Sequence, residues 1–263
     1  MGVGKKILWG LGLGSREERL RKRLQRLNKN VESSPYVLDR EFVDLFKKFR
    51  HATQVSWMGS LQSYQAADYV ARNGIRGAVV ECGVWKGGQA AIIASKLASA
   101  GVTDKPIYLF DTFDGMTPPS AADARMTGKR QKASVIFDER IRREGSWNRS
   151  PLTEVEWTMR STPYPFDRFE FVQGNVMDTI PAKAPWEIAL LRLDTDFYDS
   201  TRHEMEYLFD SLVPGGVFIC DDYWYWEGAK KAVDEYFESR NVTIFLQRAS
   251  HYHGVMAVKT HRT

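Results

Sequence analysis

Apolar and polar positions follow two different periods along most of this chain. From residue 78 onward, short apolar runs alternate with segments in which apolar residues recur every three to four positions, as in amphipathic helices. Strands interleaved with helices are typical of a parallel sheet covered by helices. The pattern predicts an α/β fold with a doubly wound, mainly parallel sheet of seven strands. The predicted strands are AVVEC, IYLFD, FEFVQG, EIALLRL, GVFIC, TIFLQ and GVMAVK.

Two intervals depart from this alternation. Only QRASHYH separates the last two strands, so we expect them to form a hairpin. Residues 114–167 form a long insertion that is rich in Pro, Arg, Lys and Ser and has no evident strand. Such insertions at the carboxyl edge of a sheet are often lids, and surface decoration is the alternative. Helices are expected over 39–50, 61–73, 88–100, 134–143, 152–160, 200–212 and 228–239.

The N-terminal segment differs in charge from the rest of the chain. Residues 1–34 hold nine Lys or Arg and three Glu, a net charge of +6, so the remainder carries −2 of the total +4. We therefore expect a basic extension over 1–34, followed by a single domain over 35–263 that does not bind nucleic acid. Leu20, Leu24 and Leu27 predict a short amphipathic helix within the extension.

Cysteine usage and hydropathy bear on location. Cys82 and Cys220 each end an apolar run and lack metal-ligand spacing, so we expect buried thiols in a reducing cytoplasm. The apolar stretch ILWGLGLG is far shorter than the roughly 17–25 residues of a spanning helix. No stable membrane insertion is expected.

Glycines and acids at the first three strand ends indicate a nucleotide site. The first strand leads into Glu81-x-Gly83-x-x-x-Gly87, followed by Gly88, and the second strand ends in Asp111. A carboxylate two residues before the first glycine would repel a pyrophosphate but suits a cationic ligand, and an acid at the second strand end can bind ribose hydroxyls. This favours S-adenosylmethionine over NAD. The third strand end adds Gly174, Asn175 and Val176 as contacts for the adenine.

Four aspartates follow the next two strands. Asp194 and Asp196 come from LDTD, and Asp221 and Asp222 come from CDDYW. The carboxyl ends of neighbouring parallel strands meet at the edge where such sheets bind ligands. Oxygen-only ligands predict a hard divalent cation, Mg²⁺, Ca²⁺ or Mn²⁺. The alternative is that Asp221 or Asp222 caps the following helix.

Five separated blocks of sequence resemble one family. VECGVWKGG, FDTFDGM, GNVMDTIP, LRLDTDFYDST and PGGVFICDDY are similar, in this order, to the macrocin O-methyltransferases, over about residues 40–260. The resemblance implies a metal-dependent and S-adenosylmethionine-dependent methyltransferase that acts on sugar hydroxyls. It implies Phe113 as a further donor contact and Asp196 as general base, with Asp194 as the alternative base. It also makes Asp194, Asp221 and Asp222 the ligands of Mg²⁺ or another hard cation.

Together these features predict methyl transfer to a small-molecule polyol or sugar-bearing substrate, by a homodimer or higher homo-oligomer. A metal-dependent glycosyltransferase is the first alternative, because an apolar strand followed by DTD resembles a DxD motif. A non-catalytic module on a methyltransferase fold is the second. The aromatic run 223–226, YWYW, is expected either to wall the acceptor or to lie in the core or a subunit interface.

Overall fold

The computed structural model describes residues 39–248 and 253–260. The chain divides into two compact units, Met1–Asp44 and Leu45–Thr263, and the sheet belongs to the second. The predicted basic helix at Leu20–Leu27 lies outside the described residues. The helices are α1 Arg40–Phe49, α2 Trp57–Arg72, α3 Gly88–Ser99, α4 Ala133–Glu144, α5 Leu152–Arg160, α6 Val176–Thr179, α7 Tyr198–Leu208 and α8 Glu227–Ser239, with 3₁₀ turns at Arg50–Ala52 and Phe166–Arg168.

The seven-stranded sheet is mostly parallel, as predicted. Its strand order is β5-β2-β1-β6-β7-β9-β8, and only the last two pairs are antiparallel. The main-sheet strands are β1 Ala78–Cys82, β2 Ile107–Asp111, β5 Phe169–Gln173, β6 Ile188–Leu193, β7 Leu212–Cys220, β8 Gln247–Arg248 and β9 Val255–Val258; β3 Ala124–Arg125 and β4 Gln131–Lys132 form a separate hairpin.

The direction of winding changes between β1 and β6. From β1 the chain proceeds outward through β2 to β5, whereas β6 lies on the other side of β1 and leads to β7. In open α/β sheets, ligands bind beyond the carboxyl ends of the strands at such a switch point. The turn after β1 and the turn after β6 therefore lie at the expected ligand edge.

The central strands are apolar because both of their faces are covered. Every residue of β1 and of β6 is buried, which suits strands of a parallel sheet with helices on its faces. Helix α2 packs against α3, and α7 packs against α8. None of the described helices combines the length and the apolar character that a bilayer crossing requires.

Three predicted elements need correction. The helix expected over 200–212 starts at Tyr198 and ends at Leu208, and Leu212 already belongs to β7. The strand expected at TIFLQ shrinks to Gln247–Arg248, although Ile244 and Leu246 still pack against the core. The insertion contains the short antiparallel pair β3 and β4, which its polar sequence did not indicate. The predicted terminal hairpin is confirmed as the antiparallel pair β8 and β9.

Candidate active site

Three aspartates meet beyond β6 and β7. Asp194 follows β6, Asp221 and Asp222 follow β7, and one carboxylate oxygen of each lies within 4.8 Å of the others. The two strands pair in parallel, with Leu193 opposite Cys220, so their carboxyl ends coincide. The expected convergence of these acids is confirmed. Their role as metal ligands stays a prediction.

Burial and mutual repulsion make this group a good receptor for a cation. Burial, followed by the charges of neighbouring aspartates, raises the pKa values of Asp194 and Asp222, whereas Arg192 opposes the rise at Asp194. A hard divalent ion prefers an all-oxygen donor set of this kind and would offset the repulsion. The three side chains therefore fit Mg²⁺ or a similar ion.

Asp196 lies beside this group in an unusual backbone conformation. Its φ angle is +68°, in the left-handed region, and its Oδ1 accepts a hydrogen bond of 2.9 Å from Trp226 Nε1. Burial raises the pKa of Asp196 to about 6, although hydrogen bonds from Asp222 and Trp226 partly oppose the rise. The carboxylate is thus more basic than an ordinary aspartate, as a general base requires.

Arg192 is a site residue that sequence reasoning missed. Its guanidinium is fully buried within β6, and Nη1 donates to Asp194 Oδ2 over 2.7 Å and to Glu81 Oε1 over 2.8 Å. Nη2 donates to Asp221. The sequence feature that could have identified it is the single basic residue inside the apolar run EIALLRL. A buried arginine requires carboxylate partners, so acidic residues were to be expected around it.

Glu81 connects the glycine turn to this network. The side chain is buried at the end of β1, and burial raises its pKa to about 7 in spite of the nearby Arg192. Its second oxygen, Oε2, is buried without a hydrogen-bond partner among the described residues. An unpaired buried carboxylate oxygen costs free energy, so this atom fits a cationic ligand.

Asp111 braces the glycine turn from the neighbouring strand. Its Oδ2 accepts hydrogen bonds from the backbone N–H groups of Val84 and Trp85, at 2.7 and 2.9 Å. Its Oδ1 accepts a third from Phe113 N at 2.7 Å. The predicted ribose acid therefore fixes the turn after β1, and its contact with ribose stays a prediction.

The glycines of this turn allow other parts of the protein to pack closely against it. A Cβ on Gly83 would lie 2.1 Å from the backbone oxygen of Asp194. On Gly87 it would lie 2.7 Å from Met159 Cε of α5, and on Gly88 it would lie 2.5 Å from the backbone oxygen of Ala52. The glycine turn is therefore in close contact with Asp194 after β6, with Met159 of the insertion and with Ala52.

The remaining predicted donor contacts lie at the carboxyl ends of β2 and β5. Phe113 is buried and has a φ angle of +54°. Gly174 donates its N–H to the backbone oxygen of Asp111, Asn175 caps α6, and Val176 is buried. These residues adjoin the end of β2, as the sequence predicts, and their contact with an adenine stays a prediction.

The aromatic run after CDD belongs mainly to the protein interior. Trp226 is 1% exposed and packs edge-to-face on Phe197 and on Trp147 of the insertion. Tyr223 is buried and donates its hydroxyl to Asp234. Trp226 thus belongs to a core cluster, in line with the core alternative for this run.

Hydrogen bonds connect the insertion to the start of α7, just after Asp194 and Asp196. Asp123, which is 2% exposed, accepts hydrogen bonds from the backbone N–H of Tyr198 at 2.8 Å and of Ser120 at 2.7 Å. Met126 N donates to Tyr225 O, and Lys86 pairs with Glu154 of α5 at 2.6 Å. These contacts place the insertion beside the glycine turn and the turn after β6, and its role as a lid stays a prediction.

The two cysteines take no part in the chemistry suggested by the acids. Cys82 and Cys220 are free and buried, as predicted, at the ends of β1 and β7. Burial raises the pKa of both thiols well above the usual value, so they remain protonated and unreactive.

Known proteins resemble the chain in sequence over about two thirds of its length. It is 31% identical over 167 residues to the 8-demethyl-8-(2,3-dimethoxy-alpha-L-rhamnosyl)-tetracenomycin-C 4'-O-methyltransferase of Streptomyces olivaceus, covering 64% of this chain and 60% of the relative. It is 30% identical over 172 residues to the demethyldecarbamoylnovobiocin O-methyltransferase of Streptomyces niveus, covering 65% and 62%. The matched region thus spans less than two thirds of these relatives.

Solved structures share the fold over almost the whole chain. The O-methyltransferase NovP superposes with a TM-score of 0.70 and 25% identity, covering 93% of this chain and 99% of NovP. CalS11, a calicheamicin methyltransferase, superposes with a TM-score of 0.59 at 19% identity, covering 98% of both chains, which supports the fold alone. The sequence profile of the macrocin-O-methyltransferase (TylF) family matches residues 56–255. Because this match spans well over half of the sequence, the chain belongs to the macrocin O-methyltransferase family.

Proposed function

We propose that this protein transfers the methyl group of S-adenosylmethionine to a sugar hydroxyl of a glycosylated natural product or saccharide, with the help of a divalent cation. One observation carries the proposal. At the switch point of the sheet, the glycine turn after β1 adjoins three aspartates whose oxygens lie within 4.8 Å of one another. A methyl-donor site and a cation site would then be neighbours.

Family membership and the named relatives support the sugar as acceptor. The Streptomyces olivaceus relative is named as a 4'-O-methyltransferase of a rhamnosyl tetracenomycin, and a mycinamicin III 3''-O-methyltransferase from Micromonospora griseorubida is 29% identical over 173 residues. The first name includes a rhamnosyl group, and both names give a primed oxygen position, 4' and 3'', as the site of methylation. We therefore infer a glycoside as the acceptor class.

The chain offers a separate set of residues for each bound group. Asp194, Asp221 and Asp222 would hold the cation, and Glu81, the glycine turn and Asp111 would hold the donor. S-Adenosylmethionine supplies an activated methyl group, and a divalent cation supplies charge stabilisation and orientation for the acceptor oxygen. The buried surroundings strengthen both electrostatic contributions.

The acceptor hydroxyl must lose its proton as the methyl group arrives. Asp196 is the residue that we assign to this step, because its carboxylate adjoins Asp222 and its pKa is raised to about 6. Trp226 fixes one carboxylate oxygen through its indole N–H. Asp194 is the alternative base. Holding the reacting atoms in line contributes about 7–11 kcal/mol to such reactions.

The proposal is tested by measuring methyl transfer from radiolabelled S-adenosylmethionine to a panel of rhamnosides. We expect transfer with Mg²⁺, loss of transfer in excess EDTA, and recovery when Mg²⁺ is restored. Asp194→Asn should lower the rate by at least about tenfold at saturating Mg²⁺, whereas Asp199→Asn, an exposed acid five residues away, should change it by less than about twofold. A full rate in EDTA would contradict the metal role.

Titration calorimetry separates this function from its alternatives. Binding of S-adenosylhomocysteine supports the methyl-donor site. Binding of a nucleotide sugar alone would favour a glycosyltransferase, for which the LDTD sequence is the supporting feature. Donor binding without transfer to any glycoside would favour a non-catalytic module.

A further inference from the structure

Arg192 occupies the centre of the ligand edge rather than its rim. It lies on β6 between β1 and β7, opposite Glu81 on one side and Ile219 on the other. The side chain is fully buried and is among the largest buried side chains of the described residues. Its position therefore puts one fixed positive charge between the two halves of the candidate site.

The guanidinium contacts one carboxylate from each of three adjacent strands. Nη1 donates to Glu81 within β1 and to Asp194 just after β6, at 2.8 and 2.7 Å, and Nη2 donates to Asp221 just after β7. A guanidinium presents its N–H groups in one rigid plane, so it fixes the relative positions of the carboxylates that it binds. One planar group thus holds the donor-site acid and two of the metal-site acids in register.

Stability of the fold does not account for this arrangement. Burying an arginine with several carboxylates carries a large desolvation penalty, and well-packed apolar residues in the same place are often at least as stable. The neighbouring residues of β6 are apolar and fully buried. Because every other residue of β6 is apolar and buried, the strand does not need an ionic network to pack in the core, which points to a role of Arg192 in binding.

We propose that Arg192 is a positioning residue that couples the donor site to the metal site. The inference rests on the proposed function. The guanidinium holds the carboxylates of Asp194 and Asp221 next to each other, and it holds Glu81 beside the glycine turn. A change at Arg192 should therefore weaken the binding of Mg²⁺ and of the donor together, although Arg192 ligates neither.

The test compares Arg192→Lys with the wild-type protein by titration calorimetry, using Mg²⁺ and S-adenosylhomocysteine as probes. Lysine keeps the charge but loses the planar fork, so we expect the Mg²⁺ affinity to fall by about 10–100-fold, as after loss of groups that orient metal ligands. The affinity for S-adenosylhomocysteine should fall by at least about fivefold. Asp194→Asn should weaken Mg²⁺ more than S-adenosylhomocysteine.

Arg240→Lys is the matched control. Arg240 also bridges two carboxylates, Glu206 and Asp210, at 3.0 and 3.1 Å, but it lies on the surface away from the candidate site. We expect both affinities to stay at wild-type values in this variant. A folded Arg192→Lys protein that binds both probes as tightly as wild type would overturn the inference while leaving the proposed function intact.

A second variant keeps the inference testable if Arg192→Lys does not fold. Glu81→Gln removes the charge on one side of Arg192 and touches no predicted metal ligand. The neutral amide attracts the guanidinium less strongly than the carboxylate does. Arg192 should then bind Asp194 and Asp221 more tightly and compete with the cation, lowering the Mg²⁺ affinity by about fivefold. An unchanged Mg²⁺ affinity would overturn the coupling. Failure of the wild-type protein to bind Mg²⁺ would instead overturn the proposed function and the inference together.

Discussion

Trp226 donates its indole N–H to Asp196 Oδ1 over 2.9 Å, and the two residues follow neighbouring strands of the sheet. The tryptophan is held by Phe197 and by Trp147 of the insertion. The orientation of the proposed base therefore depends on an aromatic cluster that includes the insertion. Side chains that contact neither donor nor acceptor contribute in this way to the geometry of proton removal.

Replacing Trp226 by Phe should lower catalysis more than binding. The ring still fills the cluster, but Asp196 loses its fixed partner, and a displacement of about 1 Å costs about 100-fold in such sites. We expect kcat for methyl transfer to fall by about 10–100-fold with an unchanged affinity for S-adenosylhomocysteine. Trp186→Phe, at a side chain that is 94% exposed, is the control. A kcat equal to that of wild type would show that the hydrogen bond is dispensable.

Asparagine substitutions distinguish the two candidates for the base. Asp196→Asn removes a base but no predicted ligand, so we expect kcat to fall by about 10²–10⁴-fold while calorimetry still detects Mg²⁺ binding. Asp194→Asn should lose Mg²⁺ binding as well as activity. If Asp196→Asn retains kcat within about tenfold of wild type, the proton goes elsewhere and Asp194 becomes the better assignment.

Gly83→Ala should destabilise the protein strongly. The new Cβ would lie 2.1 Å from the backbone oxygen of Asp194, on a residue whose φ is +81°. Gly101→Ala is a matched control, because its φ is +79° and nothing lies within 4 Å of the added atom. The control should lose about 1–2 kcal/mol from left-handed strain alone. We expect denaturant unfolding to show a loss for Gly83→Ala larger than that of the control by about 2 kcal/mol or more; equal losses would exclude the steric cause.

Glu204 should make stability fall as the pH rises. Burial raises the pKa of Glu204 from 4.5 to about 8, although Thr195 donates a hydrogen bond to it. Between these values the unfolded chain has released a proton that the folded protein keeps, so the free energy of unfolding decreases with pH. Glu204→Gln removes this loss and keeps an oxygen for Thr195.

Thermal unfolding at about pH 5 and about pH 8 measures the effect. The variant should gain Tm relative to wild type at the higher pH, by about 2–4 °C for each 1 kcal/mol. Glu206→Gln, an exposed acid on the same helix, is the control and should show the same small difference at both values. A Glu204→Gln difference that does not change with pH would contradict the assignment.

The hydrophobic pattern predicted the sheet and the place of the acids because both depend on local sequence and on the rule that parallel strands end together. The pattern did not predict that only Gln247 and Arg248 of this region pair with β9. Val242, Ile244 and Leu246 alternate towards the core as the pattern requires, but hydrogen-bond pairing depends on a neighbouring strand that is distant in sequence. The role of Arg192 and the hydrogen bond from Trp226 to Asp196 were not predicted for the same reason, since Glu81, Asp221 and Asp196 are distant in sequence from the residues that bind them.

The small residues of the glycine turn after β1 have a consequence for protein engineering. Gly87 accommodates Met159 and Val155 of the insertion where a side chain would collide with them. Chimeras that import the corresponding insertion of another methyltransferase must therefore also match the residues that face this turn. Substrate range and cofactor affinity are expected to change together in such exchanges rather than as independent modules.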